Sequence, residues 1–222
     1  MKKMLFAVLV YLFLAATQIF AQSILTASAF FQTVSQHYAT IKDFESNLEI
    51  SVGRQNMAGK VSYKNPDMLR IDFSKPADQV IVYNGDNLTI YLPGASSVLN
   101  QSVSHESGAN IATAQGLALM SRYYTVAYET GQEAEPLDSS TDEMVVKLIL
   151  YRRNSAEAFR SIKLAINPNS LLIRRVEAVT PQAETFVFNF TDYSINQGIP
   201  DQRFIYDAPS SANNYNNFLF SE

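Results

Sequence analysis

The sequence predicts an α+β fold in which about eleven short strands form one antiparallel sheet and two helices cover part of it. Three observations carry this. Apolar and polar residues alternate with a period of two through most of the chain after residue 43, as in strands with one dry face. The alternating runs are separated by only a few residues, which suits hairpins and leaves no room for the crossover helices that parallel pairing needs. Two stretches, 23–43 and 110–124, switch instead to spacings of three and four. A sheet this wide twists, and either closes into a barrel or wraps around something.

The elements follow in order. The chain opens "MKKMLFAVLVYLFLAATQIFAQS": Lys2 and Lys3 form a basic start, 4–16 is apolar apart from Tyr11, and Ile19-Phe20-Ala21 offers a cleavage site. The apolar run is shorter than a bilayer span, so 1–21 reads as a cleaved signal peptide and 22–222 as a single domain. An uncleaved anchor is the alternative. In 23–43, Ala27, Phe30, Phe31, Val34, Tyr38 and Ile41 make one helical stripe. Strands are predicted near 44–53, 57–64, 68–74, 78–84, 87–92 and 97–103. Gly53 to Asn56 and Asn84-Gly85-Asp86 supply turns between them. Pro66, Pro76 and Pro93 fall between strands, where a missing N–H costs nothing.

The stretch "NIATAQGLALMSRYY", 110–124, breaks the series. Thr113, Leu117, Met120 and Tyr124 share a helical face, and Gly116 weakens the middle by roughly 1 kcal/mol relative to Ala. Strands resume near 123–130, 143–152, 159–167, 171–180 and 184–193, with the acidic, turn-rich loop "GQEAEPLDSSTDE" at 131–143. The tail "NQGIPDQRFIYDAP" is irregular, with room for one short strand.

Composition excludes several functions. There is no cysteine, hence no disulfide, no thiol chemistry and no lipid-anchored N-terminus. The formal net charge is −4, and loss of Lys2 and Lys3 makes it two units more acidic. No basic patch of the kind nucleic acid demands is visible in the sequence, and a chain of this sign gains little from an anionic membrane surface. The compartment implied is the periplasm or the cell exterior.

The dry face is long. Leu69, Ile71, Phe73; Leu88, Ile90, Leu92; Val146, Leu148, Leu150; Ile162, Leu164, Ile166; and Phe186, Phe188, Phe190 each alternate in register. A core filled by the protein's own side chains is one reading of this pattern, a face held open for a ligand the other. The second helix favours the latter: short, interrupted by Gly116 and polar on its remaining face, it reads as a movable cover. Catalytic constellations are missing. His37 and His105 lack partners at metal-ligand spacing. No GxSxG, P-loop or GxGxxG occurs. His105 and Glu106 beside Ser104 and Ser107 sit too close in sequence to form a triad. The acids of 131–143 lack the alternating ligands of a calcium loop, and the tyrosines mostly occupy strand positions, where β-propensity accounts for them.

The block "GKVSYKNPDMLRIDFSKPADQVIVYNGDNLTIYLPGASSVL" resembles the signature region of the periplasmic lipoprotein carriers LolA and LolB: a Gly and a strand, Pro66 before an alternating strand, Pro76, an apolar triplet, Asn84-Gly85-Asp86, and an aromatic followed by Pro93. The ending "NFTDYSINQGIPDQRFIYDAP" is similar to the family's closing segment. The specific matches lie in 59–94 and 190–209. The resemblance implies an unclosed antiparallel half-barrel of about eleven strands with an N-terminal helix and a helical lid over a hydrophobic cavity. It implies a periplasmic chaperone that takes acylated lipoproteins from an inner-membrane ABC-type transporter and passes them to an outer-membrane acceptor.

By resemblance Leu69 and Ile71 fall on cavity and rim positions, and Leu117 and Met120 on the lid. The alternating pattern adds Phe73, Leu88, Ile90, Leu148, Leu164, Phe188 and Phe190 as lipid-facing residues. The residue before the signature proline is usually an arginine that latches the lid; here it is Asn65, whose amide hydrogen-bonds more weakly than a charged fork. No catalytic residue, metal or cofactor is expected, no nucleic acid, and a monomer. The alternative is a module of the same shape that binds free lipid or glycolipid, or an envelope-stress sensor that docks a protein. An enzyme is the third class, and no polar convergent site supports it.

Overall fold

The computed structural model describes residues 25–103 and 113–218. The expected signal peptide, His105 with its neighbours, and 110–112 lie outside the described residues. Helix α1 spans Ala27–Thr40 and α2 Ala114–Tyr123. The strands are β1 (Asp43–Val52), β2 (Gln55–Lys64), β3 (Met68–Lys75), β4 (Val80–Tyr83), β5 (Asn87–Leu92) and β6 (Ser97–Ser102) before α2. After it come β7 (Tyr124–Tyr128), β8 (Glu135–Pro136), β9 (Met144–Arg152), β10 (Ser161–Ile166), β11 (Ile173–Val179), β12 (Thr185–Ile195) and β13 (Asn213–Asn216).

All eleven predicted strands form, and two short ones are added. β8 rises within the acidic loop and pairs with β9, while β13 lies at the C-terminal end and pairs with β6. The order across the sheet is β13-β6-β5-β4-β3-β2-β1-β12-β11-β10-β9-β7. Neighbours run antiparallel except β13 and β6. β13 and β7 stand at opposite ends of this order and do not pair, so the sheet is open.

α1 is shorter than the predicted 23–43 because its ends are set locally. The Thr26 hydroxyl accepts from the Ala29 N–H at 3.2 Å, and Ile41 is already extended. Its stripe is buried as the spacing predicts, with Phe31, Val34 and Tyr38 almost wholly enclosed. The two helices pack on each other and on β7, over the inner face of the sheet. Beneath them Val146, Leu148 and Leu150 of β9 and Ile162, Leu164 and Ile166 of β10 join the main core. Two tyrosines brace the start of β11. The Ile173 N–H donates to the Tyr38 hydroxyl at 2.9 Å, and the Tyr193 hydroxyl donates to the Ile173 carbonyl at 2.8 Å. Burial pushes the Tyr38 phenol up to about 12 and the Tyr193 phenol well above its ordinary range, so both stay neutral.

The outer face of β3–β5 is covered by the C-terminal tail, which the sequence pattern leaves without a position. Ile199 and Phe204 pack on Val80 and Val82 as a second, smaller core. Polar contacts clamp the tail. The Arg203 guanidinium reaches Asp72 at 2.5 Å, and Arg70 donates to the carbonyls of Arg203 and Ile205 while holding Asp72 at 2.8 Å. Lys64 donates to the Ile199 carbonyl at 2.7 Å and to Asp201 at 2.5 Å. The Asp43 carboxylate accepts from the backbone of Gln197 and Gly198 at 2.8 and 3.1 Å.

This clamp gives stability an acid limb. Partial burial alone would raise the Asp72 carboxyl, but Arg70 and Arg203 overcome it and hold it below its ordinary 3.8. Glu45 is likewise lowered from 4.5 against burial, by Lys60, Ser62 and Arg203. A lowered folded pKa means the unfolded chain binds more protons, so the stabilisation is complete above the ordinary carboxylate range and is lost as pH falls through it. The urea midpoint is therefore expected to hold between pH 7 and 5 and to drop below pH 4, and the drop to shrink in Arg203→Ala. An equally steep acid limb in that variant would remove the clamp from the explanation.

Candidate functional site

The site is built by strand register. On the inner face Ile71 of β3 lies opposite Ile81 of β4, and Ile81 opposite Ile90 of β5; Val61 and Leu99 extend this row onto β2 and β6. Next to it runs Tyr63-Leu69-Tyr83-Leu88-Gln101. Tyr63, Tyr83 and Gln101 are buried, while Leu69, Ile71, Ile81, Leu88 and Ile90 are half-buried. The tyrosines are anchored at turns. Tyr63 donates to the Pro66 carbonyl at 2.9 Å and Tyr83 to the Gly85 carbonyl at 2.6 Å. Gly85 has φ +100°, a conformation that L side chains rarely adopt. Burial, with Asp67 nearby, lifts the Tyr63 phenol to about 12. None of these inward side chains is charged.

Across the sheet a third row runs Met57-Ile50-Phe188-Val176-Leu164-Leu148. Exposure changes along it: Met57 and Phe188 are half-buried, and Val176, Leu164 and Leu148 are closed off at 1%, 1% and 0%. The inner face thus has a packed half under the helices and a half, on β3–β5 and the near end of β12, whose apolar side chains keep some exposure.

The expected site residues divide along the same line. Leu69, Ile71, Leu88, Ile90 and Phe188 belong to the half-buried set. Phe73, Leu117, Met120, Leu148, Leu164 and Phe190 are buried in the main core. α2 is shorter than the predicted stretch: Thr113 caps it, accepting from the Gly116 N–H at 3.1 Å, and Leu117 is fully enclosed. Asn65 stands exposed in the β2–β3 turn and its N–H donates to the Lys42 carbonyl at 2.8 Å. Among the described residues its side chain makes no hydrogen bond to α2. Ile81 was not singled out from the sequence, because "VIVY" buries residues on both faces and has no alternation to read.

Other depressions are of different character. A cleft of about 380 Å³ lies at the start of α1, lined by Leu25, Phe30, Tyr128, Gln132, Glu133, Val146 and Pro168. On the outer face a pocket of about 190 Å³ is lined by charges that pair internally, Lys163 with Glu129 at 2.5 Å and Lys147 with Glu135 at 3.2 Å. The acidic loop is stapled there: Glu143 takes Arg174 in a bidentate grip at 2.5 and 3.0 Å, and Asp138 takes Arg175 at 2.8 Å. Ser140 and then Arg175 hold Asp138 down at about 2. Among the described residues no group of three His, Asp or Glu side chains could hold a metal, and no helix is long and apolar enough to cross a membrane.

The family model for the outer membrane lipoprotein carrier protein LolA matches residues 47–207, most of the chain and every row described above. The chain belongs to the LolA family. An outer-membrane lipoprotein carrier protein of Haemophilus ducreyi is 28% identical over 153 residues, 68% of this chain and 65% of that protein. One from Actinobacillus pleuropneumoniae is 35% identical over 80 residues, 35% and 36% of the two lengths. The match thus spans just under two thirds of the first carrier and about a third of the second. The LolA-type sheet recurs in solved structures at low identity, which speaks to fold alone. The Mycobacterium tuberculosis lipoprotein LppX aligns with TM-score 0.53 at 11% identity, over 78% of this chain and 97% of LppX. The Pseudomonas aeruginosa MucA/MucB complex aligns with TM-score 0.52 at 11% identity, over 82% and 61%.

Proposed function

We propose that this LolA-family protein is a periplasmic carrier that shields the acyl chains of lipoproteins in transit between the two membranes, and that the chains lie on the half-buried inner face of β3–β5 and β12. The observation that carries the reading is the uncharged apolar row Ile71-Ile81-Ile90 on an open sheet. Burying hydrocarbon contributes about 0.8 kcal/mol per methylene, so a sixteen-carbon chain gains on the order of 12 kcal/mol over water. A membrane offers nearly the same, so a carrier must match it without far exceeding it. Leucine, isoleucine and phenylalanine supply transfer energy without demanding one ligand geometry. No reacting group is needed, and the protein is read as a binding protein, not an enzyme.

On this reading 1–21 is the export signal, α2 is the cover, and Asn65 is a weaker latch than an arginine would be. The donor is an inner-membrane ABC-type transporter, the recipient an outer-membrane acceptor, and the carrier a monomer. The test is direct: the purified mature protein takes up a fluorescent fatty-acid probe, and mass spectrometry of material co-purified from the envelope finds acylated lipoprotein. A well-folded protein that binds no acylated ligand would end the reading.

A second reading is favoured by the sheet shared with MucB, whose structure is a complex with MucA. The same face would then hold a free lipid or glycolipid, or the protein would dock a protein partner as a sensor. Co-purified free lipid in place of lipoprotein would select it.

A further inference from the structure

The end of the sheet that carries the β1–β2 turn also carries the junction of α2 with β7 and the loop between β9 and β10, and positive charge gathers there. The Arg153 N–H donates to the Tyr123 carbonyl at 2.9 Å and its Nε to the Tyr124 carbonyl at 3.1 Å. The Arg122 guanidinium lies 5.3 Å from the centre of the Tyr123 ring. The Arg152 N–H donates to the Arg160 carbonyl at 3.3 Å. These contacts place Arg122, Arg152, Arg153 and Arg160 on one continuous surface. All but Arg152 are exposed, and among the described residues none of the four forms an ion pair with a carboxylate. Arg70, Arg174, Arg175 and Arg203 by contrast all do. Two acids lie at this end as well: Glu157, whose backbone carbonyl meets Arg152 at 3.4 Å, and the exposed Glu184, bonded to Thr180 beside the Val179 carbonyl that accepts from the Arg160 N–H.

Two further features lie on this surface. Tyr123, at 37%, is among the few large hydrophobic side chains left exposed and lies by the Arg122 guanidinium, whereas Tyr151, paired with Ser161 and Thr125, shares the outer face with Lys147 and Lys163. Beside Tyr123 the Tyr124 hydroxyl donates to the Phe159 carbonyl at 3.1 Å, and the Phe159 ring meets the Phe186 ring edge-on at 6.3 Å. Phe186 is the next inward residue after Phe188 along β12, so the basic surface borders the apolar inner face.

We propose that this end of the sheet is a docking surface for a bilayer whose leaflet carries anionic phosphate headgroups. The overall charge of −4 hides it, because it is a sum over the whole chain, whereas these arginines gather at one end of the sheet and pair with no carboxylate among the described residues. Guanidinium groups bind phosphate oxygens in a fork, and tyrosine rings settle where headgroups meet hydrocarbon. An acidic protein surface would use the arginines, but it gives no reason for an exposed tyrosine, Tyr123, at the border of an apolar face. The proposal needs only the patch and holds whether or not acyl cargo is carried.

The test is flotation of the mature protein with vesicles of phosphatidylcholine alone and with one quarter phosphatidylglycerol. Recovery is expected only with the anionic vesicles and is expected to fall at 0.5 M salt. Each basic residue near such a leaflet contributes roughly a fivefold gain in partitioning. Loss of the two arginines alone is worth about 25-fold, so the double reversal Arg122→Glu with Arg160→Glu is expected to cost at least that. Neither side chain holds a hydrogen bond within the described fold, and Tyr123→Ala, a milder change, is expected to lose several-fold. Unchanged probe uptake in these variants separates docking from cargo binding. Equal recovery on both vesicle types, or recovery on neither, overturns the proposal, the second outcome assigning the patch to an acidic protein surface. So does undiminished flotation of the folded double variant.

Discussion

Gly59→Val is expected to destabilise the protein by at least about 3 kcal/mol, at the upper end of what overpacking costs. A Cβ at Gly59 would sit 2.3 Å from the Asp72 carbonyl oxygen and 2.8 Å from the Phe73 Cα. Both are backbone atoms of the paired strand, so no side chain can rotate away. The β2–β3 register slips by one residue between Ala58 and Gly59, which pair with Lys75 and Phe73 and leave Ser74 of β3 as the extra residue of a bulge, where the two backbones come together. Relieving the clash means shifting that pairing, and a one-residue slip would turn Leu69 and Ile71 to the outer face. Gly53 provides the contrast. It has φ +57° in the β1–β2 turn, but nothing lies within 4 Å of its added Cβ, so Gly53→Ala should cost only about 1 kcal/mol of backbone strain. Urea midpoints followed by far-UV circular dichroism measure both. A Gly59→Val loss as small as that of Gly53→Ala would mean the bulge yields freely.

The same region shows what the sequence could reveal and what it could not. Leu69, Ile71 and Phe73 announce an inner face because their neighbours Arg70 and Asp72 are charged, and period two is visible wherever one face is wet. The register is hidden, since it depends on partners distant in sequence. Ile81 therefore emerges only from its pairing with Ile71 and Ile90. The outer clamp was equally silent: Arg203 reaches Asp72 across more than a hundred residues, and "PDQRF" has no period to betray that Phe204 is buried. α2 is the instructive middle case. The shared face of Thr113, Leu117, Met120 and Tyr124 was legible, but a stripe says only that something covers it, and α1 with β7 does. The basic surface lay beyond reach because Arg122, Arg153 and Arg160 become neighbours only through the strand pairing of β7, β9 and β10.

Replacing Ile71 by glutamate is expected to abolish uptake of an acyl probe while leaving the protein folded, and Leu69→Glu likewise. Both positions are half-buried, so a carboxylate there can stay hydrated while the inner face is empty. An acyl chain laid over it would strip that water, at a cost of several kcal/mol unless the charge is neutralised. That cost offsets most of a short chain's transfer energy, and affinity should fall by two orders of magnitude or more. Ile71→Ala removes only contact area, on the order of 1–2 kcal/mol, and should leave binding weakened about tenfold. Leu148→Glu is the opposite control: at 0% exposure its carboxylate has no route to water, so that variant should fail to fold rather than fail to bind. Acid distinguishes the causes further. A ligand that buries the new carboxyl raises its pKa, so Ile71→Glu should recover part of its binding as pH falls from 7 to 5, where Ile71→Ala shows no such gain. Affinity for the probe within threefold of the original protein at pH 7 in folded Ile71→Glu would place the hydrocarbon on some other surface than the row Ile71-Ile81-Ile90.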